Sequence, residues 1–97
     1  MFIRVASGRY EPAQFDELRR YAQEHLAPTL QGLPGFQRYT AGFDRVDGYF
    51  LGVSVWDTEE QAKAAQAAID RLRADFPPNT ARESGQVGRY YEVIAQA

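Results

Sequence analysis

The spacing of apolar positions changes along the chain, and each change marks an element. Phe2 to Tyr10 alternates with a period of two. Phe2, Ala6 and Tyr10 fall on one side and Ile3 and Val5 on the other, with Arg4 interrupting the first set; this pattern predicts a strand. From Pro12 the period lengthens. Phe15, Leu18, Ala22, His25 or Leu26, and Leu30 recur at helical spacing and predict a first helix with one buried stripe. Pro12 suits the first helical position, where a missing N–H costs nothing. Glu11, Asp16 and Glu17 favour the positive end of the helix, and Pro28 is expected to end or kink it. Leu33-Pro34-Gly35 then turns the chain into a second strand.

Gly35 to Trp56 reads as two strands around a turn, and the rest of the chain is organised about it. Tyr49 to Trp56 is rich in aromatic and β-branched residues, which suit a pleated strand. Asp47-Gly48 supplies the turn, because Gly accepts the positive φ that closing a hairpin requires. With Phe43 opposite Tyr49, one face carries Tyr39, Ala41, Phe43, Tyr49, Leu51, Val53 and Val55. The other carries Phe36, Arg38, Thr40, Phe50, Ser54 and Trp56, with Gly42 and Gly52 leaving room between them. A slip of one residue would exchange every side chain of one strand relative to the other.

Asp57-Thr58 opens a second helix, with Thr58 and Gln61 spaced as a capping box. Ala62, Ala65, Ile69, Leu72 and Phe76 form its apolar stripe. The alanine half of that stripe either approaches the sheet closely or leaves space for a ligand. Glu59 with Lys63, and Arg71 with Asp75, are neighbours on a solvated face. Pro77-Pro78 stops the helix, Asn79 to Gln86 reads as polar loop or irregular edge, and Val87 to Ala95 as a last strand that is apolar on both sides.

The order β-α-β-β-α-β is the split-βαβ, ferredoxin-like arrangement, an α+β fold with two helices on one face of a four-stranded antiparallel sheet. A half-exposed sheet would alternate apolar and polar, whereas apolar residues here lie on both faces. An apolar face of that size marks an interaction surface. Its simplest cover is the same surface of a second copy, a homodimer through the sheet face.

Composition narrows the function. The 97 residues suffice for one small domain, 1–97, and the formal net charge of -2 argues against a nucleic-acid surface. No apolar run approaches the ~20 residues that span a membrane. Met1-Phe-Ile-Arg opens directly into a strand pattern, so no signal peptide is read and a cytoplasmic location is expected. There is no cysteine and one histidine, which leaves no metal site in view. Neither a phosphate-cradling glycine motif nor a nucleophile elbow is present. No cofactor is expected.

Leu33-Pro34-Gly35-Phe36, together with Val53-Ser54-Val55-Trp56-Asp57-Thr58-Glu59-Glu60 and Ala62, resembles the signature of the dimeric α/β-barrel superfamily. The nearest branch is the antibiotic-biosynthesis-monooxygenase-like domains, and the resemblance covers nearly the whole chain. It implies sheet-to-sheet dimers. Activities in the family include cofactor-free oxygenation of polycyclic phenols or quinols and haem degradation, beside domains with no assigned activity. The haem-degrading branch uses a histidine and a tryptophan on the second helix and an asparagine in the first strand. Here the second helix has neither, and the first strand offers Ser7 but no asparagine. No visible absorption band is expected on adding haem. The monooxygenase branch uses Trp, Asn, Tyr and Arg around its substrate, and no counterpart of its asparagine is found.

His25 is the one side chain expected to titrate near neutral pH. As a catalytic base it would take a proton from a phenolic substrate; as a structural residue it would be a hydrogen-bonded, partly buried histidine. Tyr21, Tyr39, Trp56 and Tyr91, with Arg38, are the candidate lining for a small aromatic ligand, joined by Tyr49 and Tyr90 in an aromatic set that equally suits core or interface. Arg4, Arg38 and Arg89 would gather an anionic ligand or pair with carboxylates across a dimer. Two functions follow: a monooxygenase-like protein acting on an aromatic or apolar small molecule, and a non-catalytic ligand-binding or structural dimer module.

Overall fold

The computed structural model describes residues 1–75 and 88–97. Strand β1 (Phe2–Arg9) leads through a 3-10 turn at Pro12–Gln14 into helix α1 (Phe15–Tyr21), a π-helical turn (Ala22–Leu26) and helix α2 (Ala27–Gln31). Strands β2 (Phe36–Phe43) and β3 (Tyr49–Trp56) form the hairpin, helix α3 (Glu59–Asp75) follows, and β4 (Arg89–Glu92) closes the sheet. The strands run antiparallel in the order β2-β3-β1-β4. This is the ferredoxin-like α+β fold expected from the hydrophobic pattern.

The helices cover the face that carries Arg4, Ala6, Phe50, Ser54 and Trp56, all buried. Trp56 is fully buried; its indole N–H donates to Ser54 Oγ at 2.8 Å, and its ring meets Phe36 edge-on at 5.5 Å. Ala62 and Ala65 of α3 are also fully buried, with Ala68 and Ile69 nearly so. The alanine half of α3 therefore packs close to its neighbours. Of the expected capping box only one half forms: the Gln61 N–H donates to Thr58 Oγ1 at 3.2 Å, while Gln61 Oε1 is buried without a partner among the described residues. Lys63 and Glu59 pair at 3.2 Å on the solvated side.

Three expectations are corrected. Phe43 lies opposite Phe50, not Tyr49. Just past the last pair, the Asp44 N–H donates to the Tyr49 carbonyl at 2.8 Å, and its carboxylate accepts from the Val46 and Asp47 amides. This Asx turn closes the hairpin with β2 moved by one residue against β3. Tyr39, Ala41 and Phe43 consequently share a face with Phe50, Gly52 and Ser54. Second, of the two outcomes expected at Pro28, an end or a kink, the end does not occur, and the first helix continues to Gln31. The π turn just before it accommodates a residue that cannot donate. Third, the last strand is shorter than Val87 to Ala95, spanning Arg89–Glu92. Phe76, Pro77-Pro78, Asn79 to Gln86 and Val87 lie outside the described residues, as does the side chain of Asp75 proposed to pair with Arg71.

Gly48 has φ +82°, and a Cβ there would lie 1.9 Å from the Tyr10 carbonyl oxygen, which makes glycine obligatory at this turn. Its own carbonyl accepts the Tyr10 N–H at 2.8 Å, tying the hairpin loop to the end of β1.

A candidate ligand site under the first helix

The inward positions of the sheet fall into rows that can be read from the register. Arg4, Ser54 and Tyr39 form one row across β1, β3 and β2; Ala6, Gly52 and Ala41 form the next; Gly8, Phe50 and Phe43 form the third. The middle row has almost no side-chain volume. Above the β2 end of these rows, the first helix presents Ala22 and Ala27. Small residues above and below leave a cavity of about 370 Å³, closed by Phe15, Leu18, Tyr39, Phe43 and Phe50. Arg19, Gln23, Ala41 and Gly42 are the exposed lining residues and mark its mouth. Leu18, Phe50 and the hydroxyl of Tyr39 are buried at its inner side. The volume falls in the range of small-molecule sites, as does a largely apolar lining with few polar groups.

Tyr39 is the polar group of greatest interest. Its ring leans over Gly52, where a Cβ would come within 3.2 Å of the phenolic oxygen. That oxygen is buried and has no hydrogen-bond partner among the described residues. A buried hydroxyl without a partner is costly, and a ligand oxygen in the cavity is one way to satisfy it. Burial holds the Tyr39 phenol well above the ordinary tyrosine range. Tyr21 pushes in the same direction, Arg4 opposes, and Tyr10 adds to the rise. Tyr21 is pushed up to about 12, chiefly by burial, with Tyr10 adding to the rise and Arg73 opposing it. Tyr39 is therefore a neutral hydrogen-bond donor across the physiological range.

Arg4 faces the helices and is 4% exposed, so it takes no part in the outer face of the sheet. Its Nη2 donates to Gln66 Oε1, and the Gln66 amide donates in turn to Asp70 at 2.8 Å. The chain of hydrogen bonds links a buried charge to an exposed carboxylate. Its Nε has no partner among the described residues.

The residues singled out from the sequence are dispersed. Tyr39 lines the cavity. Tyr21 is buried in the core beside it, and Trp56 is sealed in the core away from it. Arg38 is exposed and pairs with Val55, and Tyr91, about half exposed, pairs with Ile3; both belong to the outer face of the sheet. His25 is exposed outside the cavity lining, its ring 6.1 Å from that of Tyr21. Sequence reasoning passed over Phe43, Phe50 and the small residues Ala22, Ala27 and Ala41 as site residues. Only the true β2–β3 register brings Ala41 next to Gly52 and reveals the hollow. No group of three or more metal-ligating side chains occurs among the described residues, and none of their helices is long and apolar enough to cross a membrane.

No protein-family model matches the sequence, and no curated protein does. Solved structures do match. A monooxygenase from the gene ActVA-Orf6 of Streptomyces coelicolor, in complex with nanaomycin D, superposes with a TM-score of 0.77 at 16% identity, over 99% of this chain and 89% of that one. A variant of MhuD with two manganese protoporphyrin IX molecules per active site gives 0.78 at 17%, over 100% and 98%. An antibiotic biosynthesis monooxygenase gives 0.68 at 20%, over the full length of both. The chain thus has the fold of the antibiotic-biosynthesis-monooxygenase-like domains.

Proposed function

We propose that this protein binds a small aromatic molecule in the cavity under its first helix, with the Tyr39 hydroxyl donating to an oxygen of the ligand. The observation that carries the reading is a buried, unpartnered phenol on the wall of an apolar cavity. The fold supports it, since one structural neighbour holds nanaomycin D and another holds protoporphyrin. The working unit is a homodimer joined through the outer sheet face, where Tyr49, Leu51 and Tyr91 are each about half exposed.

Calorimetric titration with 2-naphthol tests the site. Saturable binding is expected. Tyr39→Phe should weaken it roughly fivefold, the worth of one ordinary hydrogen bond, and Ala41→Phe, which fills the mouth, should abolish it. Binding untouched by both substitutions would rule out this cavity.

A second reading, cofactor-free oxygenation of a phenolic ligand, is favoured by the fold shared with the nanaomycin-bound monooxygenase. Such chemistry needs a group that removes the phenolic proton. Tyr39 is held neutral, and His25 stands exposed outside the cavity lining, so the geometry supports binding better than proton abstraction. Oxygen uptake with a panel of quinols discriminates the two. Turnover that disappears in Tyr39→Phe or His25→Ala would replace the binding reading with the oxygenase one. Haem fits less well. The one histidine is exposed outside the cavity lining, leaving the cavity without an imidazole ligand, and no visible absorption band is expected on haem addition.

A further inference from the structure

The mouth of the cavity carries charge that nothing described so far uses. Among the described residues, Arg19 is the only charged one in the lining. Its guanidinium lies 5.3 Å from the ring centroid of Phe15, a wall of the same cavity. Arg45, from the hairpin loop, reaches the same ring at 4.2 Å. Two guanidinium groups from separate elements therefore converge on one aromatic wall. Arg19 is paired with Asp16 at 3.3 Å. Arg45 has no carboxylate partner among the described residues, while the nearby Asp44 carboxylate is engaged by the Val46 and Asp47 amides. Arg19 lines the cavity, Arg45 reaches one of its walls from outside the lining, and each guanidinium has more N–H groups than its contacts use. Guanidinium donors in this arrangement suit a planar oxyanion.

From this convergence we infer that the ligand of the cavity is an aromatic carboxylate, its ring system in the apolar interior and its carboxylate at the mouth between Arg45 and Arg19. The inference rests on the binding reading above and adds the charge and orientation of the ligand. An apolar body alone would leave Arg45 without a carboxylate partner and Arg19 with Asp16 alone. A carboxylate at the mouth gives Arg45 a partner and Arg19 a second one, and it stays partly hydrated, avoiding the cost of burying an ion in the interior. The end of the molecule that enters first then lies nearest Tyr39, where a hydroxyl or carbonyl oxygen accepts a hydrogen bond from the phenol.

A matched pair of probes separates the two layers. 6-Hydroxy-2-naphthoate and 6-hydroxy-2-naphthamide share one body and differ in charge. Wild-type protein should bind the acid roughly five- to tenfold more tightly than the amide at low salt, in keeping with charge-assisted hydrogen bonds at a solvated rim. Raising the salt should shrink that preference. Arg45→Gln combined with Arg19→Gln should bring the ratio of acid to amide affinity, measured in the same protein, down to about one; both side chains are exposed, so the fold is not at stake. Equal affinity for acid and amide in the wild type, or a preference that survives the double substitution, would overturn the inference and leave the apolar site standing. Failure of both probes to bind would remove the site and the inference together.

Discussion

At the residue scale, burial of phenols defines the interior chemistry. Tyr21 and Tyr39 hold their protons above the ordinary tyrosine value of 10.0. A group of this kind binds its proton more tightly in the folded chain than in the unfolded one, so its stabilisation is complete below pH 10 and is lost as the pH rises through the folded value. Stability should therefore decline from about pH 10 towards pH 12 and beyond. Urea midpoints should stay level between pH 8 and about pH 10 and then fall up to pH 12, more steeply in the wild type than in Tyr39→Phe and Tyr21→Phe. Identical slopes in all three would mean that these phenols are not buried as described. The aromatic character of these positions was legible in the sequence. Which tyrosine faces the cavity was not, because that depends on a turn set by Asp44 accepting from two backbone amides.

At the element scale, the first helix explains an ambiguity that periodicity left open. Leu18, Tyr21, Leu26 and Leu30 are its buried residues. Between Tyr21 and Leu26 the helix makes a π turn, in which Leu26 is buried and His25 lies exposed. A pattern search at 3.6 residues per turn cannot distinguish the two, and the proline that coincides with the irregularity reads as a stop. Leu26→Ala should cost about 2–5 kcal/mol in urea unfolding, whereas His25→Ala should stay within about 0.5 kcal/mol. The reverse order would place the histidine inward. Helix α3 was easier to read, because its cap, its alanine stripe and the Glu59–Lys63 pair all follow regular spacing.

At the scale of the whole molecule, element order and hydrophobic pattern were enough to specify the ferredoxin-like sheet, since each strand and helix switches period at its boundary. The one-residue shift of β2 did not disturb that topology; it only changed which side chains meet. The outer face follows from the same alternation: Ile3, Val5, Leu51 and Val53 all take outward positions opposite partners on neighbouring strands. A dimer formed there should sediment at twice the 11.0 kDa of one chain. Leu51→Asp should shift the protein to monomer at low micromolar concentration while leaving its helical circular dichroism intact, because this side chain is already half exposed. A monomeric wild type would remove the proposed pairing, though not the cavity, which is built from one chain alone.

Trp56, locked to Ser54 and shut away from solvent, is the only indole in the chain. Its emission is accordingly a clean gauge of global unfolding, blue-shifted until the fold opens and hard for a dissolved quencher to reach. Because it takes no part in the cavity lining, occupancy there is best followed through the light of the guest rather than that of the host.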